Sequence, residues 1–201
     1  MKKSLLAFGL TLFAAQHANA ARIESVTYNG SGCPVGSLSN IPDSFDGQWL
    51  TLDFARSNNS LRVAKGGDAS LEESRRNCIV SLRLDNASDY RFAVQRVVSW
   101  GQYQIGDGDL FQFTLANFFE GQGTTKELEV SARGPSGWQS FTFDRNISDG
   151  DLLWSSCGLD RALSLNSSVR VGPTQDGSRE TRSQGRLDKV AYRFTFQKCR
   201  R

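Results

Sequence analysis

The chain has 201 residues, of which 38% are hydrophobic and 22% charged, and its formal net charge is +3. These values exclude a disordered or fibrous chain and predict one ordinary globular domain. The near balance of charges gives no indication of a nucleic-acid partner or an acidic membrane surface.

Residues 1–20 are predicted to be a secretory signal peptide. Two lysines precede an apolar stretch from Leu5 to Ala15, and Ala18-Asn19-Ala20 is a small-x-small cleavage site. The apolar stretch is shorter than the roughly 18 residues that a membrane anchor needs. We therefore expect a single exported domain, residues 21–201, in the periplasm or outside the cell and without a membrane span.

Alternation of apolar and polar residues, which is typical of β-strands, dominates the rest of the sequence. Gly-, Asn- and Asp-rich breaks such as Ser57–Ser60 and Lys65–Ala69 separate the alternating runs. No run shows the periodicity of a long helix. In chain order, about nine strands are expected near Ile23–Tyr28, Leu50–Phe54, Cys78–Asp85, Arg91–Trp100, Phe111–Leu115, Leu128–Val130, Phe141–Phe143, Leu163–Val171 and Val190–Gln197.

Many short strands separated by turns predict an all-β domain, specifically an antiparallel β-sandwich of two sheets. A closed β-barrel is the alternative. The polar segment Thr174–Leu187 is expected to be an exposed loop. Trp100 has the same phase as Phe92 and Val94, so strict alternation places it in the core.

The four cysteines of the mature chain, Cys33, Cys78, Cys157 and Cys199, predict two disulfides. The sequence permits three pairings. We favour Cys33–Cys78 with Cys157–Cys199, because joining nearest neighbours closes one loop in each half of the chain. A zinc site is not expected, since such sites use closely spaced Cys pairs.

The segments around these cysteines carry a family resemblance. The motifs are Gly30–Ser37, Arg75–Cys78, the turn at Gly134-Pro135, Trp154–Gly158 with Leu165–Val171, and an aromatic strand that runs into Cys199. In this order they resemble the motifs of a family of secreted proteins known as domain of unknown function family 4360. The resemblance implies a secreted, disulfide-bonded β protein of bacteria or fungi with no agreed activity and no catalytic residues.

The residue types of the mature chain exclude several kinds of catalysis. The full sequence has one His, His17, which lies in the predicted leader, so the mature chain has none. The cysteines of the mature chain are expected to be paired. A Ser-His-Asp triad, a Cys-His dyad and a His-based zinc site therefore lack their residues. The remaining enzymatic alternative is a carboxylate pair that acts on glycans. We expect no cofactor and predict no catalytic residue.

Two charged patterns have both a structural and a functional interpretation. Asp107 with Asp109, and Asp149 with Asp151, could supply oxygen ligands to Ca²⁺, although Asp-Gly is also a common turn signal and the turn is favoured. The basic Arg75-Arg76 pair and the Arg179–Arg186 segment are interpreted as solvated surface rather than as a polyanion site.

Two tryptophans are candidate ligand-binding residues. Trp49 is out of phase with Leu50 and Leu52, and Trp138 is out of phase with Phe141. Both indoles would then lie on outward faces, where an indole can stack on a sugar ring or on a partner protein. The alternative is that each folds back as a lid. We expect an exported, non-catalytic β-sandwich that binds a glycan or a cell-envelope surface, with a protein-interaction module as a further alternative.

Overall fold

A computed structural model describes residues 21–38, 41–56, 61–85, 89–134, 137–158, 160–173 and 182–200. The predicted leader, residues 1–20, lies outside the described residues. Within the described ranges, no helix is long and apolar enough to cross a membrane.

The described part of the chain forms ten β-strands and three single-turn 3-10 helices. The 3-10 helices are Pro42–Ser44, Leu71–Ser74 and Asp149–Asp151. The strands are β1 (Ile23–Asn29), β2 (Trp49–Asp53), β3 (Leu61–Lys65), β4 (Arg75–Leu84), β5 (Tyr90–Gln104), β6 (Asp109–Phe119), β7 (Thr125–Ala132), β8 (Gln139–Asn146), β9 (Leu163–Pro173) and β10 (Ser183–Lys198).

The strands form two antiparallel sheets. Sheet A has the order β1-β4-β9-β6-β7, and sheet B has the order β2-β10-β5-β8. The short strand β3 continues the edge of sheet B, because β2 pairs with the second half of β10 and β3 with the first half. The predicted β-sandwich is confirmed, and the sheets do not close into a barrel.

The hydrophobic core lies between the sheets and is built from alternate residues of each strand. In sheet A, Phe113 lies beside Val169 of β9 and Val130 of β7, so these side chains share the inward face. Phe141 of sheet B stacks on Phe113 with ring centroids 5.1 Å apart. Large side chains that meet in this way hold the two sheets face to face.

A β-bulge in β5 overturns the prediction that Trp100 belongs to the core. Arg96 pairs with Arg193 of β10, but the next pair along is Val94 with Phe194, so one extra residue is inserted in β5. An inserted residue moves every following side chain of the strand to the opposite face of the sheet. Val97 therefore faces the core, whereas Trp100 faces outward and is half-buried.

The prediction of an exposed loop at Thr174–Leu187 is wrong over Ser183–Leu187, which is the start of β10. Residues 174–181 lie outside the described residues. The first two inward positions of this strand are Ser183 and Gly185, so the apolar alternation begins only at Leu187. Gly185 is required there because a Cβ would come within 2.4 Å of the Phe111 ring.

Each sheet is attached to a neighbouring segment by one disulfide. Cys33 is bonded to Cys78 of β4, and Cys157 is bonded to Cys199 just beyond β10. This is the nearest-neighbour pairing favoured from the sequence. The first disulfide is fully buried, whereas Cys157 is exposed, so only the first also fills core volume.

Candidate functional site

None of the four tryptophans belongs to the core cluster, and three of them, Trp49, Trp100 and Trp138, lie on sheet B or next to it. Trp100 stands near the middle of the outward face of this sheet, where its cross-strand neighbours are Lys189 of β10 and Thr142 of β8. Trp100 is absent from the core cluster although it is half-buried. Trp100 is therefore partly exposed on the outward side of the sheet.

Trp49 begins β2 and lies at one corner of the same face. Its cross-strand neighbour is Arg193, and the guanidinium of Arg96 lies 6.0 Å from its ring centroid. Arg96 also donates to both carboxylate oxygens of Asp144, and these bonds hold the pKa of the Asp144 carboxyl below its ordinary value. The half-buried Trp49 ring thus lies beside the Arg96–Asp144 ion pair, with the guanidinium-bearing Arg193 as its cross-strand neighbour.

Trp138 immediately precedes β8 and is 47% exposed. Gln139 pairs with Tyr103, whose ring packs inward on Phe111, so alternation places Trp138 on the outward face. Strand geometry puts its Cα about 14 Å from that of Trp100 and about 30 Å from that of Trp49. Trp49 and Trp138 are not adjacent, and Trp100 lies between them.

The surface between Trp100 and Trp138 is covered by hydrogen-bonded polar side chains. Arg186 donates to the Oε1 atom of Gln102 at 3.0 Å, and Gln102 donates to the Ser140 hydroxyl at 3.4 Å. Gln184 donates to Gln104 at 3.1 Å. These bonds hold amide and guanidinium groups in place along the line that joins the two indoles.

A concave region lies where the ends of β4, β9 and β6 in sheet A meet Arg182 and the segment from Lys65 to Ser74. We call it the basic groove; its volume is about 700 Å³. Four cationic side chains line it, and no carboxylate does within the described part of the chain: Lys65, Arg75, Arg170 and Arg182. Aliphatic side chains complete the lining, namely Ala69, Leu71, Leu110, Val171 and Pro173.

Two of the four candidate calcium ligands, Asp109 and Asp151, bind other side chains of the protein. Asp109 is buried and accepts hydrogen bonds from Lys65 and Ser183, both at 2.5 Å. Asp151 accepts a hydrogen bond from the Ser148 hydroxyl at 2.6 Å and pairs with Lys126, which together lower the pKa of the Asp151 carboxyl. In the described ranges, no three His, Cys, Asp or Glu side chains converge as metal ligands would.

Sequence reasoning singled out Trp49 and Trp138 but missed Trp100, Arg170 and Lys65. No local pattern could have identified Arg170 or Lys65, because their importance comes from neighbours on other strands. Trp100 was misplaced because the bulge in β5 has no Gly or Pro to mark it. Arg96 at a core-phase position was the one available signal, since a charged residue on the apolar side of a strand suggests a change of phase.

The family model of DUF4360, a domain of unknown function, matches residues 19–199. The chain belongs to this family. The family expected from the cysteine motifs is therefore confirmed, over almost the whole length of the chain.

The chain is also similar to one curated protein and to several solved structures. An uncharacterized secreted protein of Arthroderma benhamiae is 26% identical over 189 residues, which cover 92% of this chain and 74% of that protein. A structure of TmCBM61 in complex with β-1,4-galactotriose is 13% identical, with a TM-score of 0.31, and 86% of this chain and 90% of that one are covered. A CBM4 structure is 9% identical, with a TM-score of 0.28 and coverages of 85% and 95%. Similarities at these TM-scores do not establish a shared function.

Proposed function

We propose that this member of the DUF4360 family is an exported, non-catalytic glycan-binding protein. Its site for neutral sugars is the outward face of sheet B, along the line Trp49, Trp100 and Trp138. The observation that carries the proposal is the position of Trp100, a large aromatic residue near the middle of a sheet face rather than in the core.

The energetics of an indole support this assignment. A tryptophan that serves stability buries most of its 150–250 Å² against other apolar groups. Trp100 instead has Lys189 and Thr142 as its cross-strand neighbours, and Trp138 is 47% exposed. A flat apolar ring with one N–H donor, flanked by fixed amide groups, matches the alternating apolar faces and hydroxyls of a sugar.

Two further observations support export. Disulfides persist in oxidising compartments, and the structure contains two. The relative from Arthroderma benhamiae carries the description of a secreted protein. Together with the predicted leader, they favour a site that meets extracellular or cell-envelope glycans.

The enzymatic alternative requires carboxylates that converge in a cleft. The basic groove, at about 700 Å³, is lined by no carboxylate within the described ranges. The geometry therefore supports binding more directly than hydrolysis.

The test is a screen of the mature protein on an array of neutral galactan, glucan, xylan, mannan and chitin oligosaccharides, with and without Ca²⁺. Calorimetry with the best neutral binder then compares Trp100→Ala and Trp138→Ala with the wild type. We expect each variant to weaken binding at least tenfold, because stacking on an indole contributes on the order of 1.4 kcal/mol or more.

Tyr90→Ala is the matched control. Tyr90 is an exposed aromatic residue, 42% accessible, at the far end of β5 and away from the three indoles. Its loss should leave binding unchanged. Equal binding by the wild type and both Trp variants, or no neutral ligand on the array, would contradict the proposal.

A further inference from the structure

Pairs of arginines face each other across neighbouring strands at three places in the described part of the chain. The pairs are Arg96 with Arg193, Arg62 with Arg186, and Arg75 with Arg170. Like charges directly opposite each other in a sheet are destabilising, so each pair has a cost that something must offset.

Acidic residues offset that cost in the first two pairs, both on sheet B. Asp144 pairs with Arg96, and Asp188 pairs with Arg186 at 2.9 Å. The Arg75–Arg170 pair on sheet A is different. Both arginines are exposed, and within the described ranges neither forms an ion pair with a carboxylate; Arg170 donates only to the neutral Oε1 atom of Gln112.

Arg75 and Arg170 both line the basic groove. Arg182 lies on its opposite side, with its guanidinium packed against the backbone of Gly67. Lys65 is already neutralised by the buried Asp109. The Glu73 carboxylate is not among the described residues that line the groove; it accepts a hydrogen bond from the backbone N–H of Ser70 at 2.6 Å, a bond that lowers its pKa. Arg75, Arg170 and Arg182 are thus left to face one cavity.

A smaller depression adjoins the groove, and we call it the extension. Its volume is about 310 Å³, it shares Arg75 and Arg170 with the groove, and it is also lined by Arg76, Asn77 and Ser168. A ligand that spans both depressions meets guanidinium groups together with short polar side chains. That combination of contacts fits a chain that bears both acidic groups and hydroxyls.

We propose that the basic groove binds an acidic oligosaccharide, whose carboxylates or sulfates supply the negative charge that the Arg75–Arg170 pair lacks. Guanidinium groups bind planar carboxylates and sulfate oxygens through paired, charge-assisted hydrogen bonds. The aliphatic lining offers contact to the sugar rings. This site is separate from the tryptophan face of sheet B and does not depend on it.

Two other occupants fit less well. Single-stranded nucleic acid needs aromatic platforms for its bases, and neither the groove nor its extension is lined by an aromatic side chain within the described ranges. An extended peptide adds to an open sheet edge, whereas Arg170 of the groove is paired on one side with Arg75 of β4 and on the other with Gln112 of β6. The acidic oligosaccharide is therefore the occupant that the geometry favours.

The experiment is calorimetric titration of the mature protein with four probes: a galacturonic acid oligosaccharide, a sulfated heparin oligosaccharide, a neutral galactan oligosaccharide and a single-stranded oligonucleotide. The titrations use Trp100→Ala as well as the wild type, so that binding of the neutral probe at the tryptophan face does not enter the comparison. We expect one or both acidic glycans to bind Trp100→Ala more tightly than the other two probes, and to bind less tightly at high salt. The two acidic probes distinguish carboxylate from sulfate recognition. Binding to Trp100→Ala that is tightest for the oligonucleotide, or equal for neutral and acidic glycans, would overturn the proposal.

The variants are Arg75→Gln and Arg170→Gln, each expected to weaken acidic-glycan binding by about tenfold or more, since a hydrogen bond to a charged group is lost. Arg22→Gln is the matched control, because this exposed arginine lies at the opposite end of sheet A, next to Asp85. Unchanged binding in both groove variants, or an equal loss in the control, would refute the site.

Melting temperatures separate a binding role from a structural one. Removing Arg75 relieves the repulsion across the strands, so Arg75→Gln should melt at or above the wild-type temperature, whereas Arg170→Gln also loses the hydrogen bond to the buried Gln112. The acidic probe should raise the melting temperature of the wild type but not of the variants. Trp100→Ala should retain acidic-glycan binding, so this proposal and the neutral-sugar site can fail independently. Groove variants that melt early, with ligand stabilisation retained, would show that the arginines serve the fold.

Discussion

Side chains between the two sheets differ from those on the outward faces in how they are paired and packed. Between the sheets, the carboxylate of Asp109 is bound by Lys65 and Ser183, and the hydroxyl of Tyr192 is paired with Ser167. On the outward faces, Trp100 lies outside the core and Arg75 faces Arg170 across the strands. Groups that stabilise the fold are paired or packed, so the groups left without such a role are the candidates for binding.

The largest effect should come from breaking the interior ion pair. The Asp109 side chain is fully buried and that of Lys65 is 10% exposed. Asp109→Ala would remove the buried carboxylate that both the Lys65 ammonium and the Ser183 hydroxyl contact, and we expect a loss of about 3–5 kcal/mol in the free energy of unfolding, measured by urea denaturation. Asp53→Ala, which breaks partly exposed ion pairs with Arg56 and Lys189, is the control and should cost less than about 1 kcal/mol. Similar losses in the two variants would contradict the comparison.

The two disulfides should also differ in how much they stabilise the fold, and the buried one should contribute more. They close loops of similar length, with sequence separations of 45 and 42, so the unfolded chain is constrained about equally by each. Replacing Cys33 and Cys78 by Ala should cost the upper part of the usual range of about 2–5 kcal/mol, because core volume is lost as well. Replacing Cys157 and Cys199 should cost less. Denaturation midpoints that rank the other way would show that burial does not decide the difference.

Burial also predicts a pH dependence. Desolvation raises the pKa of the fully buried Tyr192 to about 12, above its ordinary value of 10.0, although the hydrogen bond with Ser167 opposes this. The folded state therefore retains the phenolic proton longer than the unfolded state, and stability is lost as the pH rises from about 10 through 12, by on the order of 3 kcal/mol. Tyr192→Phe has no such proton, so its stability should fall less steeply over this window. Parallel pH profiles for the two proteins would contradict the assignment.

The smallest of these effects should be on the outward face. Trp100→Ala should cost less than about 2 kcal/mol, whereas Phe111→Ala in the core should cost about 3–5 kcal/mol. Thermal unfolding of the two variants beside the wild type measures the difference. Equal destabilisation would place Trp100 among the stabilising residues and weaken the case for a binding face.

The local alternation of apolar and polar residues was sufficient to predict much of the fold. Alternation identified nine of the strands, because each of these has apolar side chains at its inward positions, as in Val80, Leu82 and Leu84 of β4. It missed β3, whose five residues lie between two predicted breaks, and the start of β10, where the inward positions are Ser183 and Gly185. Short strands and strands with small inward residues gain their stability from pairing, which local sequence does not display.

The sequence by itself determined the strand periodicity, the family and an even set of cysteines, since each depends on residues that are near one another in the chain or on simple counts. Only the tertiary structure decided that Trp100 faces outward. The bulge that reverses the alternation in β5 is defined by the pairing of β5 with β10. Only the tertiary structure brought Arg75 beside Arg170, since register joins residues that are distant in sequence. Both candidate sites lie on sheet faces, and a face exists only when strands from different parts of the chain are hydrogen-bonded side by side.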